Sequence, residues 1–165
     1  MKALTLHRPW PYAIFWLGKD IENRGWKCPL PVGEDFAIHA GKGWDQDGAE
    51  WMERQGMALP PLHKMGVIGV VRFEGNLDIS DSRWHYKGLV GWKLGNPRPL
   101  TVPIECRGQQ GLWELPPDIA RRVQDKLDLR PQECPICGRV VEIPGIQPKC
   151  YEHGWIPADH PKLAR

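Results

Sequence analysis

Short apolar runs bounded by Gly and Pro recur along residues 1–115 and predict strands separated by tight connections. The run at residues 3–7 alternates apolar and polar positions, as a half-buried strand does. Residues 35–41 and 65–73 are apolar almost throughout, which indicates strands buried on both faces. Six strands are expected: residues 3–7, 35–41, 65–73, 89–94, 100–106 and 111–115. A Gly95-Asn96-Pro97 turn would separate the fourth strand from the fifth.

Three segments have the pattern of helices. Residues 12–17 follow two prolines and precede Gly18, which is a suitable helix stop. Residues 46–55 follow Asp45, a residue type favoured at the N-cap. Residues 119–129 space their apolar side chains as an amphipathic helix does. The fold class expected is therefore α+β: a small, closed or nearly closed β-barrel with two or three short helices, followed by a C-terminal helix.

Composition narrows the function classes. A chain of 165 residues holds one domain with a core and a small appendage. Its 18 Gly and 17 Pro favour a fold of short β elements over a helical bundle. A net charge of +2 is low for a protein that wraps duplex DNA through many phosphate contacts. A nucleic-acid partner would therefore be recognised locally, through a few nucleotides.

A charged segment follows the first predicted helix directly. Four charged residues of both signs lie within six positions: Lys19, Asp20, Glu22 and Arg24. Three tryptophans flank them: Trp10, Trp16 and Trp26. Aromatic faces beside Lys and Arg suit unstacked bases, so the segment is a candidate pocket rim. The alternative is an ion-paired seam that closes the fold, with Lys19 and Glu22 as neighbours at i and i+3.

The ordered motifs of residues 1–115 resemble the ASCH domain family, which is related to the PUA-like barrels. The resemblance is carried by Arg8-Pro9-Trp10, Gly18-Lys19-x-x-Glu22-x-Arg24, Ala37-Ile38-His39-Ala40-Gly41, residues 66–71 and Arg107-Gly108-x-x-Gly111-Leu112-Trp113. It implies a PUA-like β-barrel with a cleft that binds RNA or a modified nucleotide. In one branch of the family the cleft hydrolyses the acetyl group of acetylated cytidine.

The catalytic residues of that branch are a Lys, a Thr three positions later and a Glu at the end of a later strand. By this resemblance the candidate catalytic residues are Lys19, Glu22 and Glu74, with Glu22 in the place of the Thr. A carboxylate beside Lys19 would stabilise its ammonium form and oppose a role as base. Hydrolysis would then require Glu22 or Glu74 to activate water.

Two function classes follow from this cleft. The first is a nucleic-acid-binding module for single-stranded RNA or a modified nucleotide, and the alternative is a hydrolase of amidohydrolase or nuclease type acting on a modified nucleoside. The candidate ligand-binding residues are Trp10, Lys19, Glu22, Asn23, Arg24, Trp26 and His39. For His39, at the end of a predicted strand, a structural role is the competing interpretation.

The C-terminal tail has the ligand spacing of a zinc site. Cys134 and Cys137 form one C-x2-C pair, and Cys150 and His153 follow after twelve residues as C-x2-H. Two such pairs joined by a short hairpin suit tetrahedral zinc, and four protein ligands make the ion structural. His160 is an alternative fourth ligand.

The chain is thus expected to comprise three parts. Residues 1–115 would be the ASCH/PUA-like domain, 116–130 an amphipathic helix and linker, and 131–165 the zinc-binding tail. No signal-peptide pattern and no apolar run of membrane-spanning length is visible, so a cytoplasmic protein without a membrane partner is expected. An odd number of five Cys fits a reducing compartment.

Overall fold

The computed structural model describes residues 1–59 and 65–128, together with two short strands in the tail. Its elements are β1 (Lys2–Arg8), α1 (Trp10–Trp16), β2 (Ile21–Arg24), β3 (Asp35–Trp44), α2 (Gln46–Arg54), β4 (Gly66–Leu77), β5 (Val90–Ile104), β6 (Leu112–Glu114), α3 (Pro117–Asp128), β7 (Lys149–Cys150) and β8 (Gly154–Trp155). Within the described ranges, none of the helices has both the length and the apolar character needed to cross a membrane.

Six strands form one mixed sheet in the order β2-β5-β4-β3-β1-β6. β1 and β3 are parallel, and the other neighbours are antiparallel. The α+β class is confirmed, whereas the closed barrel is wrong, because β2 and β6 are the two ends of an open sheet. These end strands have four and three residues, which offer few backbone groups for closure.

β5 is one strand of 15 residues, so the predicted division into two strands is wrong. Gly95 lies opposite Arg72 and Arg98 lies opposite Val70, which leaves one extra residue on β5 between the two pairs. Asn96 has a φ of 44°, in the left-handed region. The Gly-Asn-Pro sequence therefore produces a bulge that bends the strand and does not reverse the chain.

The remaining predicted strands and helices are found, with longer bounds for β3 and β4. α2 begins as expected, since the Asp45 side chain accepts a hydrogen bond from the Gly48 amide at 2.9 Å. Residues 21–24 belong to the charged segment after the first helix, where the sequence pattern predicts no strand. They form β2, which pairs with β5 so that Glu22 lies opposite Trp92.

The two faces of the sheet carry separate cores because neighbouring residues of a strand point to opposite sides. Along β3, Phe36 and Ile38 belong to the core on the face that α1 covers, which we call the α1 face. Ala37 belongs to the other core, which includes Val123 of α3 and defines the α3 face. Each candidate residue can therefore be assigned to one face.

Candidate functional site

Lys19, Glu22 and Arg24 form an ion-pair chain, which we call the charged network. The Lys19 ammonium lies 2.7 Å from Glu22 Oε2 and also donates to the Ile21 carbonyl oxygen. Glu22 Oε1 lies 3.2 Å from Nη2 of Arg24. Lys19 and Glu22 are only 4% and 8% exposed. Glu22 therefore joins a buried cation to one that reaches the surface.

Gly18 positions Lys19 for this role. With a φ of 70°, Gly18 ends α1 in a conformation that glycine adopts without a steric penalty. The Lys19 amide then donates to the Ala13 carbonyl oxygen at 3.0 Å, which turns the chain back against the helix. Lys19 itself is covered by protein, so the ion-paired seam is the interpretation that fits Lys19 and Glu22. Of the charged network, only Arg24 is accessible to a ligand.

Two tryptophans in edge-on contact lie on the strand side of Glu22 and lead to the surface. Trp92 lies opposite Glu22 on β5 and is fully buried in the core of the α1 face. The Trp26 ring meets Trp92 edge-on, with ring centroids 4.6 Å apart. The Trp92 indole N–H donates to the Trp26 carbonyl oxygen at 2.8 Å, and 42% of Trp26 is exposed. Arg24 and Trp26 are two residues apart in the chain and both are partly exposed, and we call them the rim.

Trp10 is held inside the structure and is not an open stacking surface. Its indole N–H donates to Asp45 Oδ2 at 2.7 Å, and the Lys19 ammonium lies 5.7 Å from the ring centroid. The ring also meets Trp84 edge-on at 6.5 Å. Hydrogen bonds from the Gly48 amide and then from Trp10 lower the pKa of Asp45. Trp10 therefore joins α1 to the start of α2.

Asn23 fixes the long connection between β4 and β5. Its Nδ2 donates to the Trp84 carbonyl oxygen at 2.8 Å, and its Oδ1 accepts from the Tyr86 amide at 2.8 Å. Trp84 is buried against Trp51 with ring centroids 5.4 Å apart. Both ends of the Asn23 side chain are thus used within the protein, which makes it a positioning residue of the loop.

Glu74 is not brought to Lys19 and Glu22. Its carboxylate lies 3.3 Å from the Lys93 ammonium, on the solvent side of the sheet. Lys93 directly follows Trp92, whose side chain shares a face with Glu22. Neighbouring strand residues point to opposite faces, so the two carboxylates are separated by the sheet.

His39 lies apart from the rim as well. Its ring meets Trp113 edge-on with centroids 5.9 Å apart, and Trp113 belongs to the core of the α3 face. Trp92, beside the charged network, belongs to the other core. The single cleft expected from the sequence therefore divides into the rim and a separate cavity that contains His39.

Sequence reasoning did not identify Trp92 or Gly108 as site residues. Trp92 and Leu94 are apolar residues two positions apart in a predicted strand, and this spacing is typical of side chains that face the core. Its contact with Glu22 depends on the pairing of β2 with β5, which no local pattern reveals. Gly108 is part of the motif Arg107-Gly108-x-x-Gly111. A glycine inside such a motif can indicate that another group packs closely against the backbone.

The predicted zinc ligands lie outside the residues whose side chains the structure describes. Cys134, Cys137, His153 and His160 are not described, and Cys150 is described only as part of β7. Within residues 1–59 and 65–128 there is no group of three or more His, Cys, Asp or Glu that could hold a metal ion. The zinc site stays a prediction from the spacing of the tail.

Comparison with family models and with curated proteins finds no match to this chain. The resemblance to the ASCH family therefore stays a prediction that rests on the quoted motifs. The site is defined by its own geometry: a buried ion pair, an arginine at its outer end and an exposed tryptophan that packs edge-on against the buried Trp92.

Proposed function

We propose that this protein is a nucleic-acid-binding module that recognises single-stranded RNA or a modified nucleotide at the rim of Arg24 and Trp26. The observation that carries the proposal is an exposed Trp26 ring two residues along the chain from Arg24, whose guanidinium is paired with the buried carboxylate of Glu22. An exposed tryptophan packed on a second one presents a fixed face at little entropic cost. Base stacking on such a face contributes about 1–3 kcal/mol per base.

Arg24 supplies the charged half of this recognition. Its Nη2 is used by Glu22, and its Nε is buried with no hydrogen-bond partner among the described residues. A guanidinium held in one orientation has its other N–H groups available for a phosphate or a base edge. The buried pair of Lys19 and Glu22 therefore acts through Arg24, as a positioning device.

The hydrolase alternative gains no support from this geometry. Lys19 and Glu22 are occupied by each other, and Glu74 pairs with Lys93 on the other side of the sheet. The three candidate catalytic residues therefore do not meet in one site. Incubation with acetylated cytidine is expected to release no acetate.

The predicted family and cofactor belong to the same proposal. We infer an ASCH-related chain from its motifs, with a structural zinc ion bound by Cys134, Cys137, Cys150 and His153. Four thiolate and imidazole ligands saturate tetrahedral zinc, so the ion would stabilise the tail and take no part in chemistry.

The binding of a short fluorescent single-stranded RNA to Arg24→Gln tests the proposal. Loss of one charge-assisted contact should weaken binding about tenfold to a hundredfold, because such bonds contribute about 1.5–3 kcal/mol. The slope of log K against log salt should also fall by about 0.7, the value for one phosphate of a single strand. Arg72→Gln is the matched control, since Arg72 is likewise paired with a carboxylate, that of Asp35 at 3.0 Å. Equal affinity of the two variants would refute the role of Arg24.

A further inference from the structure

A second concave site lies on the other side of the molecule from the rim. It is a cavity of about 950 Å³ between the ends of β1 and β3 and the segment after β5. Its polar lining comprises Thr5, His39, Lys42, Glu105, Cys106 and Arg107. The volume falls within the range of small-molecule sites, about 300–1,000 Å³.

His39 carries an unused hydrogen-bonding atom at this site. Nε2 lies 3.1 Å from the Cys106 carbonyl oxygen, which can only accept, so Nε2 carries the proton. Burial lowers the pKa of His39, which keeps the ring neutral near pH 7. Nδ1 is therefore a bare acceptor, and it is buried with no partner among the described residues. A buried polar atom without a partner is unfavourable, and a ligand that donates a hydrogen bond to it would recover that cost.

Gly108 packs closely against this ring edge, where a side chain of its own would not fit. A Cβ at Gly108 would lie 2.7 Å from His39 Nδ1 and 2.9 Å from the Thr5 hydroxyl oxygen. The Thr5 oxygen accepts from the Trp113 indole N–H at 3.1 Å, which leaves its own O–H free to donate. An acceptor and a donor thus lie side by side across a glycine.

Charge at the cavity favours an anion. Lys42 and Arg107 are exposed lining residues, and Glu105 is the single acidic one among the described residues of the lining. With His39 neutral, the lining carries one net positive charge. A phosphate at the mouth would meet Lys42 and Arg107 while the rest of the ligand extends toward His39.

We propose that this cavity binds a small organic phosphate of nucleoside monophosphate size. A hydroxyl or amino group of the ligand donates a hydrogen bond to His39 Nδ1, and Lys42 and Arg107 bind its phosphate. The site shares no residue with the rim and does not depend on the proposed RNA binding. The same chemistry is offered by a free nucleoside monophosphate and by the phosphorylated end of an oligonucleotide.

Calorimetric titration of the full chain with the four common nucleoside monophosphates, ribose 5-phosphate and inorganic phosphate tests the proposal. At least one organic phosphate should bind saturably and more tightly than inorganic phosphate. Arg107→Gln should weaken this binding about tenfold or more, whereas Arg54→Gln, an exposed arginine of α2, should not. No saturable binding, or equal binding by the two variants, would overturn the proposal.

The ¹⁵N resonance of His39 Nδ1 gives a direct readout in the unmodified protein. It should begin at the position of an unprotonated, unbonded nitrogen and move on ligand addition, and an unmoved resonance at saturation would overturn the contact. Arg24→Gln should bind the organic phosphate with unchanged affinity, and a loss there would assign it to the rim. If 5′-phosphorylated oligonucleotides compete with the organic phosphate and 5′-hydroxyl oligonucleotides do not, the natural ligand is a phosphorylated strand end. If neither competes, the natural ligand is a free metabolite.

Discussion

The buried pair of Lys19 and Glu22 makes a quantitative prediction about stability. Glu22→Gln removes the counter-charge of an ammonium group that is 4% exposed and retains only neutral acceptors such as the Ile21 carbonyl oxygen. Breaking a buried ion pair from one side costs about 3–5 kcal/mol, because the remaining charge has lost both water and its partner. We therefore expect Glu22→Gln to lower the free energy of unfolding by about 3–5 kcal/mol.

Lys19→Met should cost less than Glu22→Gln. The carboxylate that it leaves behind still lies 3.2 Å from Nη2 of Arg24, which is partly exposed. The double variant Lys19→Met/Glu22→Met removes both charges and replaces them with apolar side chains. It should be clearly more stable than the sum of the single costs predicts, since no buried charge remains unpaired.

Urea unfolding followed by near-ultraviolet circular dichroism measures all three variants against the parent, and Arg24→Gln serves as the control. Arg24 is partly exposed, so its loss should cost no more than about 1 kcal/mol. A Glu22→Gln variant within about 0.5 kcal/mol of the parent, or single costs that simply add, would refute the assignment of a buried structural pair.

Three further predictions concern the cap of α2, the titration of His39 and the zinc site predicted in the tail. Asp45→Ala should destabilise the protein by about 2 kcal/mol, because it removes the N-cap of α2 and the acceptor of the Trp10 indole N–H; Asp45→Asn, measured by thermal unfolding, should recover much of this. Burial lowers the pKa of His39 below its usual 6.5, so the unfolded chain takes up the proton more readily. The contribution of neutral His39 to the free energy of unfolding should be fully present above pH 6.5. As the pH falls below 6.5, the free energy of unfolding should decrease by up to about 1.4 kcal/mol per pH unit. His39→Gln should flatten this pH dependence in urea titrations. Removal of zinc by a chelator should make residues 131–165 sensitive to protease, and a tail that stays equally resistant would contradict a structural metal.

Local signals of the sequence predicted the elements that depend on local physics. The cap of α2 needs only Asp45 and the three residues after it, and the apolar run of β4 forms a strand in any context that buries it. The Gly95-Asn96-Pro97 sequence is compatible with both a turn and a bulge. Pairing with β4, which lies elsewhere in the chain, decides between them.

The site was predicted in part for the same reason. The spacing of Lys19 and Glu22 indicated their contact, but the position of Glu22 opposite Trp92 depends on pairing with the distant strand β5. His39 was grouped with the rim because both follow apolar runs. In β3 it alternates with Ile38, and this parity places it on the α3 face. Assigning a face requires the order of strands in the sheet, which residue patterns alone do not contain.

The affinity of a short single-stranded RNA for Trp26→Ala compared with Trp44→Ala tests the central claim most directly. The two tryptophans are equally exposed, at 42% each, and only Trp26 lies two residues from Arg24 in the chain. If bases stack at the rim, Trp26→Ala should bind about tenfold or more weakly than the parent, and Trp44→Ala should bind as the parent does. Equal affinity of the two variants would contradict nucleic-acid recognition at this rim.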